Sequence, residues 1–184
     1  MPVSRLIRKQ CLFPMKSALK NPCPNIIDIE ASGFGFNSYP IEIGIVLSSN
    51  EKYCSLIKPE PVWTHWDVAA EKIHGLSRDE LFRYGKSALE VAQQLNLILA
   101  NKIIYCDGWV VDKAWLSHLF YTTKIVQQFS ISPIESILSE YQMQHWQVTK
   151  AAVIDDLKGT RHRASCDALI IQETYKRTHL EEVL

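Results

Sequence analysis

Apolar and polar positions follow one another in three short runs near the start of the chain. The runs cover residues 25–30, 41–47 and 52–58, and each is rich in strand-forming residues. Residues 33–40 begin with glycine and end with proline, which predicts a turn between the first two runs. Three consecutive strands predict an antiparallel meander.

The apolar residues change to helical spacing between positions 67 and 100. A first helical segment opens this region, and a longer one begins near Ser87. Residues 102–106 predict a fourth strand, and residues 109–121 predict a helix because their apolar side chains recur at helical intervals.

The last third of the chain predicts a strand at 129–131, a helix at 133–141 and two further helical segments, the last beginning near Arg161. Strands followed by alternating helices and strands indicate an α/β domain. With 184 residues and 47% hydrophobic content, one domain is expected. We assign it to residues 25–184, preceded by a basic N-terminal arm at 1–24.

Charge is balanced overall, with 20 Lys plus Arg and 20 Asp plus Glu, so no bulk positive field indicates a nucleic-acid partner. The predicted arm is an exception, because it carries basic residues and no acidic ones. It is either a solvated arm or an arm that contacts phosphate groups. Its basic residues are Arg5, Arg8, Lys9, Lys16 and Lys20.

Five cysteines, an odd number without a CxxC pair, fit neither a disulfide framework nor a zinc site. A reducing, cytoplasmic location is therefore expected. The N-terminus lacks the apolar core of a signal peptide, and no apolar stretch approaches the length of a transmembrane span. We expect no membrane partner.

Two acidic residues lie on the first strand. The two-residue period of a strand puts Asp28 and Glu30 on one face, roughly 6.5 Å apart. Two carboxylates on a buried strand repel each other unless protons or a cation neutralise them, and a hard divalent ion is the usual solution. The alternative is an exposed strand end at which both acids are solvated.

A second acidic candidate stands near the C-terminus, where His162 precedes Asp167 and an apolar helix. Five residues correspond to roughly 140° on an ideal helix, so the two side chains would diverge if both were helical. His162 is therefore expected at or before the helix start. The alternative is a surface histidine in the basic cluster that it forms with Arg161 and Arg163.

Two aspartates compete in the middle of the chain. Asp107 follows the fourth strand and suits a turn or a helix cap. Asp112 has no such turn or capping role and lies beside the apolar side of the helix, so it is preferred over Asp107 as the functional carboxylate. Elsewhere, His74 precedes Gly75, a suitable helix cap, which favours a capping or core role over substrate contact. Glu42 is interpreted as structural.

Four segments together resemble the DEDDh group of 3′–5′ exonucleases, which includes proofreading exonuclease subunits, oligoribonuclease and ribonuclease T. The resemblance covers about residues 25–175. Each segment alone is weak, but four in the right order are specific. The matching segments are Ile27-Asp28-Ile29-Glu30-Ala31-Ser32-Gly33, Ile41-Glu42-Ile43-Gly44, Ile73-His74-Gly75-Leu76 and His162-Arg163-Ala164-Ser165-Cys166-Asp167-Ala168.

The chain departs from this pattern at three places. Many members carry His-Asn and an apolar residue where Asp107-Gly108-Trp109 stands here, which puts substrate contacts in doubt more than metal binding. Ser32 replaces a threonine. Phe34 replaces an aliphatic wedge, and it would either stack on a base, worth about 1–3 kcal/mol, or serve ordinary packing.

The resemblance implies a ribonuclease H-like α/β fold, a mixed five-stranded sheet with helices on both faces. It also implies hydrolysis of DNA or RNA from the 3′ end with release of nucleoside 5′-monophosphates, two Mg²⁺ or Mn²⁺ ions, and His162 as general base. A homodimer stays open, as does a catalytically weak nucleic-acid-binding or adaptor domain. The implied metal ligands are Asp28, Glu30, Asp112 and Asp167, and the implied substrate-binding residues are Ala31, Ser32, Gly33, Phe34 and His74.

Overall fold

The computed structural model describes residues 23–158 and 162–183. Nearly all of the predicted arm, with its basic residues, lies outside the described residues, as does Arg161. Both interpretations of the arm, solvated or in contact with phosphate groups, therefore stay predictions. In the described part of the chain, no helix is both long and apolar enough to cross a membrane.

Five strands form one mixed sheet in the order β3-β2-β1-β4-β5. The first three pair antiparallel, which confirms the predicted meander, whereas β1–β4 and β4–β5 are parallel. A parallel β4 places its carboxyl end at the same edge of the sheet as that of β1. The strands are β1 Ile26–Ala31, β2 Pro40–Val46, β3 Lys52–Leu56, β4 Ile103–Cys106 and β5 Ser130–Pro133.

Six α-helices accompany the sheet in the described residues. The predicted helical region between residues 67 and 100 divides into three helices. Ser77 and Ser87 begin the second and third of them with capping boxes, and Gly75 ends the first in a left-handed conformation. The helices are α1 Val68–His74, α2 Arg78–Tyr84, α3 Ala88–Leu99, α4 Trp109–Thr123, α5 Glu140–Leu157 and α6 Ala164–Val183.

The helix predicted at 133–141 is wrong. The structure has a short 3₁₀ turn at Ile134–Ile137, an extended residue at Leu138, and then α5. Ser139 explains the restart, because its side chain accepts the backbone N–H of Gln142 while the Gln142 side chain accepts the N–H of Ser139. A capping box near the end of the predicted helix therefore begins a new one.

Two hydrophobic cores lie on opposite faces of the sheet. Ile27 and Ile29 belong to the larger core, which contains residues of α2, α3 and α4. Ile26 belongs to the smaller core with Trp146 of α5 and Ile171 of α6. Because side chains alternate along a strand, residues 28 and 30 share the face of Ile26, which is the face covered by α5 and α6.

Candidate metal centre

Four carboxyl groups from three elements form one cluster. Two lie on β1, one on the first turn of α4 and one on the first turn of α6. Burial is the largest cause that raises the pKa of Asp28 well above its ordinary value. Nearby negative charges raise it further, because Coulomb interactions are strong at short range in a poorly solvated site. In decreasing order these charges belong to Asp112, Asp167, Glu30 and Asp107.

Two other acids of the cluster also have raised pKa values. Burial, followed by the charge of Asp167, raises the pKa of Glu30 to about 7. Burial also raises the pKa of Asp112 to about 8. Asp112 is 2% exposed, and its Oδ2 atom has no hydrogen-bond partner among the described residues. A buried carboxylate oxygen without a donor, beside other carboxylates, fits a hard divalent cation that takes oxygen ligands.

His162 lies at the edge of this cluster. One ligand atom each from Glu30, His162 and Asp167 lie within 4.8 Å of one another. His162 precedes α6 in a left-handed conformation with φ 59°, and its backbone N–H donates to Asp167 Oδ2 at 2.9 Å. The histidine therefore stands before the helix start, as predicted, and faces the acids.

An ion pair fixes the beginning of α6 to the sheet. The Glu42 side chain on β2 is fully buried and accepts hydrogen bonds from Arg163 Nε at 3.1 and 3.2 Å and from Nη2 at 2.7 Å. It also accepts the backbone N–H of Ala164 at 3.0 Å. The structural interpretation of Glu42 agrees with this geometry. Its partner Arg163 was not identified from the sequence.

Gly44 allows the same helix to approach β2 closely. A Cβ atom at this position would lie 2.2 Å from the backbone carbon of Ala164 and 2.3 Å from the nitrogen of Ser165. Gly44 pairs with Asp28 across the β1–β2 ladder. The missing side chain therefore lets the first turn of α6, which carries Asp167, lie over Asp28. Gly44 belongs to the second of the four matching segments, but the local sequence does not indicate its contact with α6.

Asp107 does not cap α4. The N-cap position is Gly108, with no side-chain capping bond, and the prediction of a helix-capping role is wrong. The Asp107 carboxylate instead forms an ion pair with Lys150 of α5, because the ammonium group offers a stronger partner than a backbone N–H. Asp107 still adds negative charge to the cluster, but Asp112 has the larger effect on Asp28.

Four of the five predicted substrate-binding residues lie at the end of β1 and in the loop that follows it. Ala31 and Ser32 are buried, and Ser32 Oγ accepts the N–H of Tyr39 at 3.2 Å and lies 3.0 Å from His65 Nδ1. Gly33 has φ 139°, and a Cβ there would lie 2.8 Å from the His65 ring. This close packing requires glycine. Contact of these residues with substrate stays a prediction.

Phe34 and His74 differ in their availability to a ligand. Phe34 is 71% exposed, with its ring 6.0 Å from that of Trp115. His74 is buried, and its Nδ1 accepts the N–H of Leu76 at 3.1 Å. Burial lowers the pKa of His74. The expected capping and core role of His74 is observed, and its contact with substrate stays a prediction.

No family model and no curated protein matches this sequence, whereas several solved structures do. Escherichia coli exonuclease I in complex with a dA16 oligonucleotide is 13% identical, with a TM-score of 0.60 over 81% of this chain and 39% of that chain. The zinc-bound form of its complex with single-stranded DNA is 12% identical, with a TM-score of 0.62 over 86% and 40%. A moderately thermophilic exonuclease I from Methylocaldum szegediense is 14% identical, with a TM-score of 0.63 over 86% and 41%.

The likeness establishes the fold. The chain shares the fold of these exonucleases, which confirms the predicted ribonuclease H-like α/β fold with a mixed five-stranded sheet between helices. It spans about two fifths of the length of the exonucleases that it matches.

Proposed function

We propose that this chain is a metal-dependent 3′–5′ exonuclease that releases nucleoside 5′-monophosphates from DNA or RNA. The observation that carries the proposal is the cluster of four acids with His162 at its edge. Support also comes from the fold shared with exonuclease I, whose structures contain single-stranded oligonucleotides and, in one case, zinc.

The acids are proposed to hold two Mg²⁺ or Mn²⁺ ions. Asp28, Glu30 and Asp167 would bind one ion, with Asp28 shared by a second ion near Asp112. When bound, two such ions lower the pKa of a water molecule and stabilise the oxygens that enter and leave at phosphorus. The unpartnered Oδ2 of Asp112 supports its inclusion in the ligand set.

His162 is the proposed general base. It accepts a proton from the water that attacks phosphorus, so that a new P–O bond forms while the bond to the 3′ oxygen of the preceding nucleotide breaks. The departing 3′ oxygen takes up a proton from solvent. An imidazole suits this role because its ordinary pKa is about 6.5. The hydrogen bond from the backbone N–H of His162 to Asp167 supports the proposal, because it holds the proposed base beside a proposed metal ligand.

Oligonucleotides labelled at either end test this function. With Mg²⁺ or Mn²⁺, a 3′ label should be released as a mononucleotide and a 5′ label should appear in a ladder of shortened products. EDTA should prevent both. The panel should contain single- and double-stranded DNA and RNA. If the protein binds these oligonucleotides but cleaves none with either metal, it is a binding or adaptor domain of the same fold, and the proposal is wrong.

The raised pKa values predict how metal should stabilise the protein. Asp28, Glu30 and Asp112 hold protons more tightly in the folded than in the unfolded protein. In EDTA, the contribution of these three groups to stability is therefore greatest below the ordinary carboxyl pKa of about 4 and falls as pH rises through about 7 to 8. Each group contributes at most about 1.4 kcal/mol per pH unit.

Bound metal should reverse this trend, because it requires deprotonated ligands. We expect Mg²⁺ to raise the melting temperature little near about pH 5 and by about 5–10 °C near about pH 8.5, with metal at about a hundred times its Kd. Thermal denaturation with Mg²⁺ and with EDTA at several pH values measures the difference. Equal stabilisation at both pH values would show that the ion binds away from the acids.

A further inference from the structure

A large groove opens beside the candidate metal centre. Its volume is about 1030 Å³, somewhat more than the roughly 300–1,000 Å³ of pockets that enclose one drug-sized ligand. Three parts of the chain line it: residues 34–38 after β1, residues 62–65, and one face of α4 from Val110 to Tyr121.

The groove contains no Lys, Arg, Asp or Glu among its lining residues, and its ionisable side chains are His65, His118 and the tyrosine. Aromatic rings dominate it instead. Phe36 is fully exposed, and Tyr121 is 84% exposed. Exposed rings gathered in one groove mark a binding surface, because a folded protein otherwise keeps such rings from forming a contiguous patch.

The groove begins at the end of α4 whose first turn carries Asp112. Val111 lines the groove and precedes Asp112 on α4, and Phe34 lines it four residues after Glu30. From Val110 the groove follows α4 for eleven residues to Tyr121, roughly 16 Å along the helix axis. A nucleic-acid strand whose 3′ end lies at the acids would extend along this groove.

The walls of the groove are held together before any ligand binds. Trp115 Nε1 donates to Ser38 Oγ at 2.8 Å, and His118 Nδ1 lies 3.0 Å from the carbonyl oxygen of Ser38. The His118 ring also contacts Trp63 edge-on. These contacts fix the loop that carries Phe36 against α4. A preformed site loses less conformational entropy when a ligand binds.

We propose that this groove binds the single-stranded nucleotides that precede the 3′ end, by stacking of their bases on Phe36 and Tyr121. The proposal rests on the proposed function, which places a phosphodiester at the acids. Aromatic side chains stack on any base, whereas a groove without cations neutralises no phosphate. Bases of a duplex are stacked on each other and cannot lie on these rings, so the groove selects single strands.

Fluorescence anisotropy of 5′-labelled oligothymidylate and oligouridylate in EDTA tests the proposal without cleavage. Phe36→Ala and Tyr121→Ala should each weaken binding about 5- to 160-fold, the effect of one lost stacking contact. The factor should be the same at about 50 mM and about 200 mM salt, because stacking releases no counterions. Phe82→Ala and Tyr84→Ala remove exposed rings of α2 outside the groove and should leave affinity unchanged.

A small substrate separates this proposal from the proposed function. The p-nitrophenyl ester of thymidine 5′-monophosphate contains no preceding nucleotide, so the groove variants should hydrolyse it at the wild-type rate. Unchanged oligonucleotide affinity in both groove variants would overturn the groove proposal, whether or not wild-type protein cleaves. If the same variants abolish self-association in sedimentation experiments instead, the groove is a protein interface. Wild-type binding without cleavage of either substrate would overturn the proposed function alone.

Discussion

Replacing Asp28 with asparagine is expected to abolish nucleotide release and, in the same protein, to raise the melting temperature measured in EDTA. Asp28 is the acid on which the charges of Asp112 and Asp167 converge. Asparagine keeps the shape, but its uncharged amide supplies no anionic oxygen to a metal ion. The loss of cleavage should be on the order of 10³-fold or more, since both proposed ions depend on this side chain.

Stability should change in the opposite direction. The folded, metal-free protein binds a proton at Asp28 more tightly than the unfolded chain does, because the pKa of Asp28 is raised in the fold. This costs about 1.4 kcal/mol for each pH unit between the ordinary and the raised pKa, up to the working pH. Asparagine carries no charge and avoids the cost. The gain in melting temperature should therefore be clear near about pH 8 and disappear near about pH 4.

Asp155→Asn is the matched control, because Asp155 is an exposed residue of α5. It should leave both cleavage and the melting temperature unchanged. Retained hydrolysis by Asp28→Asn would exclude Asp28 as an essential ligand. A lower melting temperature in EDTA at about pH 8 would show that the carboxylate stabilises the fold, contrary to the repulsion inferred from its raised pKa.

The carboxyl cluster could be predicted to the extent that local spacing determines it. Asp28 and Glu30 share a face because strands have a two-residue period, and His162 lies outside α6 because five helical residues would separate it from Asp167. The fold followed from the order of strand and helix patterns together with four motifs. Both kinds of inference need only short segments of sequence.

Contacts between distant segments could not be predicted in this way. Arg163 and Glu42 are 121 residues apart, and Lys150 and Asp107 are 43 residues apart. Each of these residues has an ordinary local interpretation as a surface charge or a cap. Only the packing of α5 and α6 against the sheet brings them together, and no periodicity in the sequence encodes the distance between their side chains.

The ion pair between Asp107 and Lys150 gives a physical reason why the chain tolerates Asp107 where the DEDDh pattern has His-Asn. An additional acid beside Asp28 and Asp112 would make the cluster harder to ionise, and it does raise the pKa of both. Lys150 of α5, which covers the same face of the sheet as the acids, compensates part of this charge. The replacement of a His-Asn pair by Asp107-Gly108 is therefore accompanied by a cation on α5, which preserves the charge balance around the acids.

Arg163→Met is expected to destabilise the protein and to reduce cleavage, although Arg163 is not a proposed metal ligand or base. It leaves the fully buried Glu42 carboxylate with the N–H of Ala164 and the thiol of Cys54 as its donors among the described bonds. Removing one partner of a buried pair costs about 3–5 kcal/mol. Because the Arg163 side chain is 37% exposed, we expect about 2–3 kcal/mol in chemical denaturation.

The loss of activity follows from the position of Arg163 beside His162. The ion pair with Glu42 fixes the first turn of α6, which carries Asp167. The proposed base, His162, directly precedes Arg163. A displacement of about 1 Å in such a site costs on the order of 10²-fold in rate. The substitution should lower kcat and raise the metal concentration required for activity. Binding of oligothymidylate in EDTA should stay nearly unchanged, because Arg163 does not line the groove.

Arg177→Met supplies the control on the same helix, since it breaks an exposed pair with Asp156 and should cost about 0–1 kcal/mol. The double variant Glu42→Gln with Arg163→Met separates pairing from packing. If the buried charge causes the instability, the double variant should be more stable than Arg163→Met alone, while cleavage stays low because α6 remains unanchored. Full activity in Arg163→Met would mean that Gly44 and the packing of α6 suffice to position the acids.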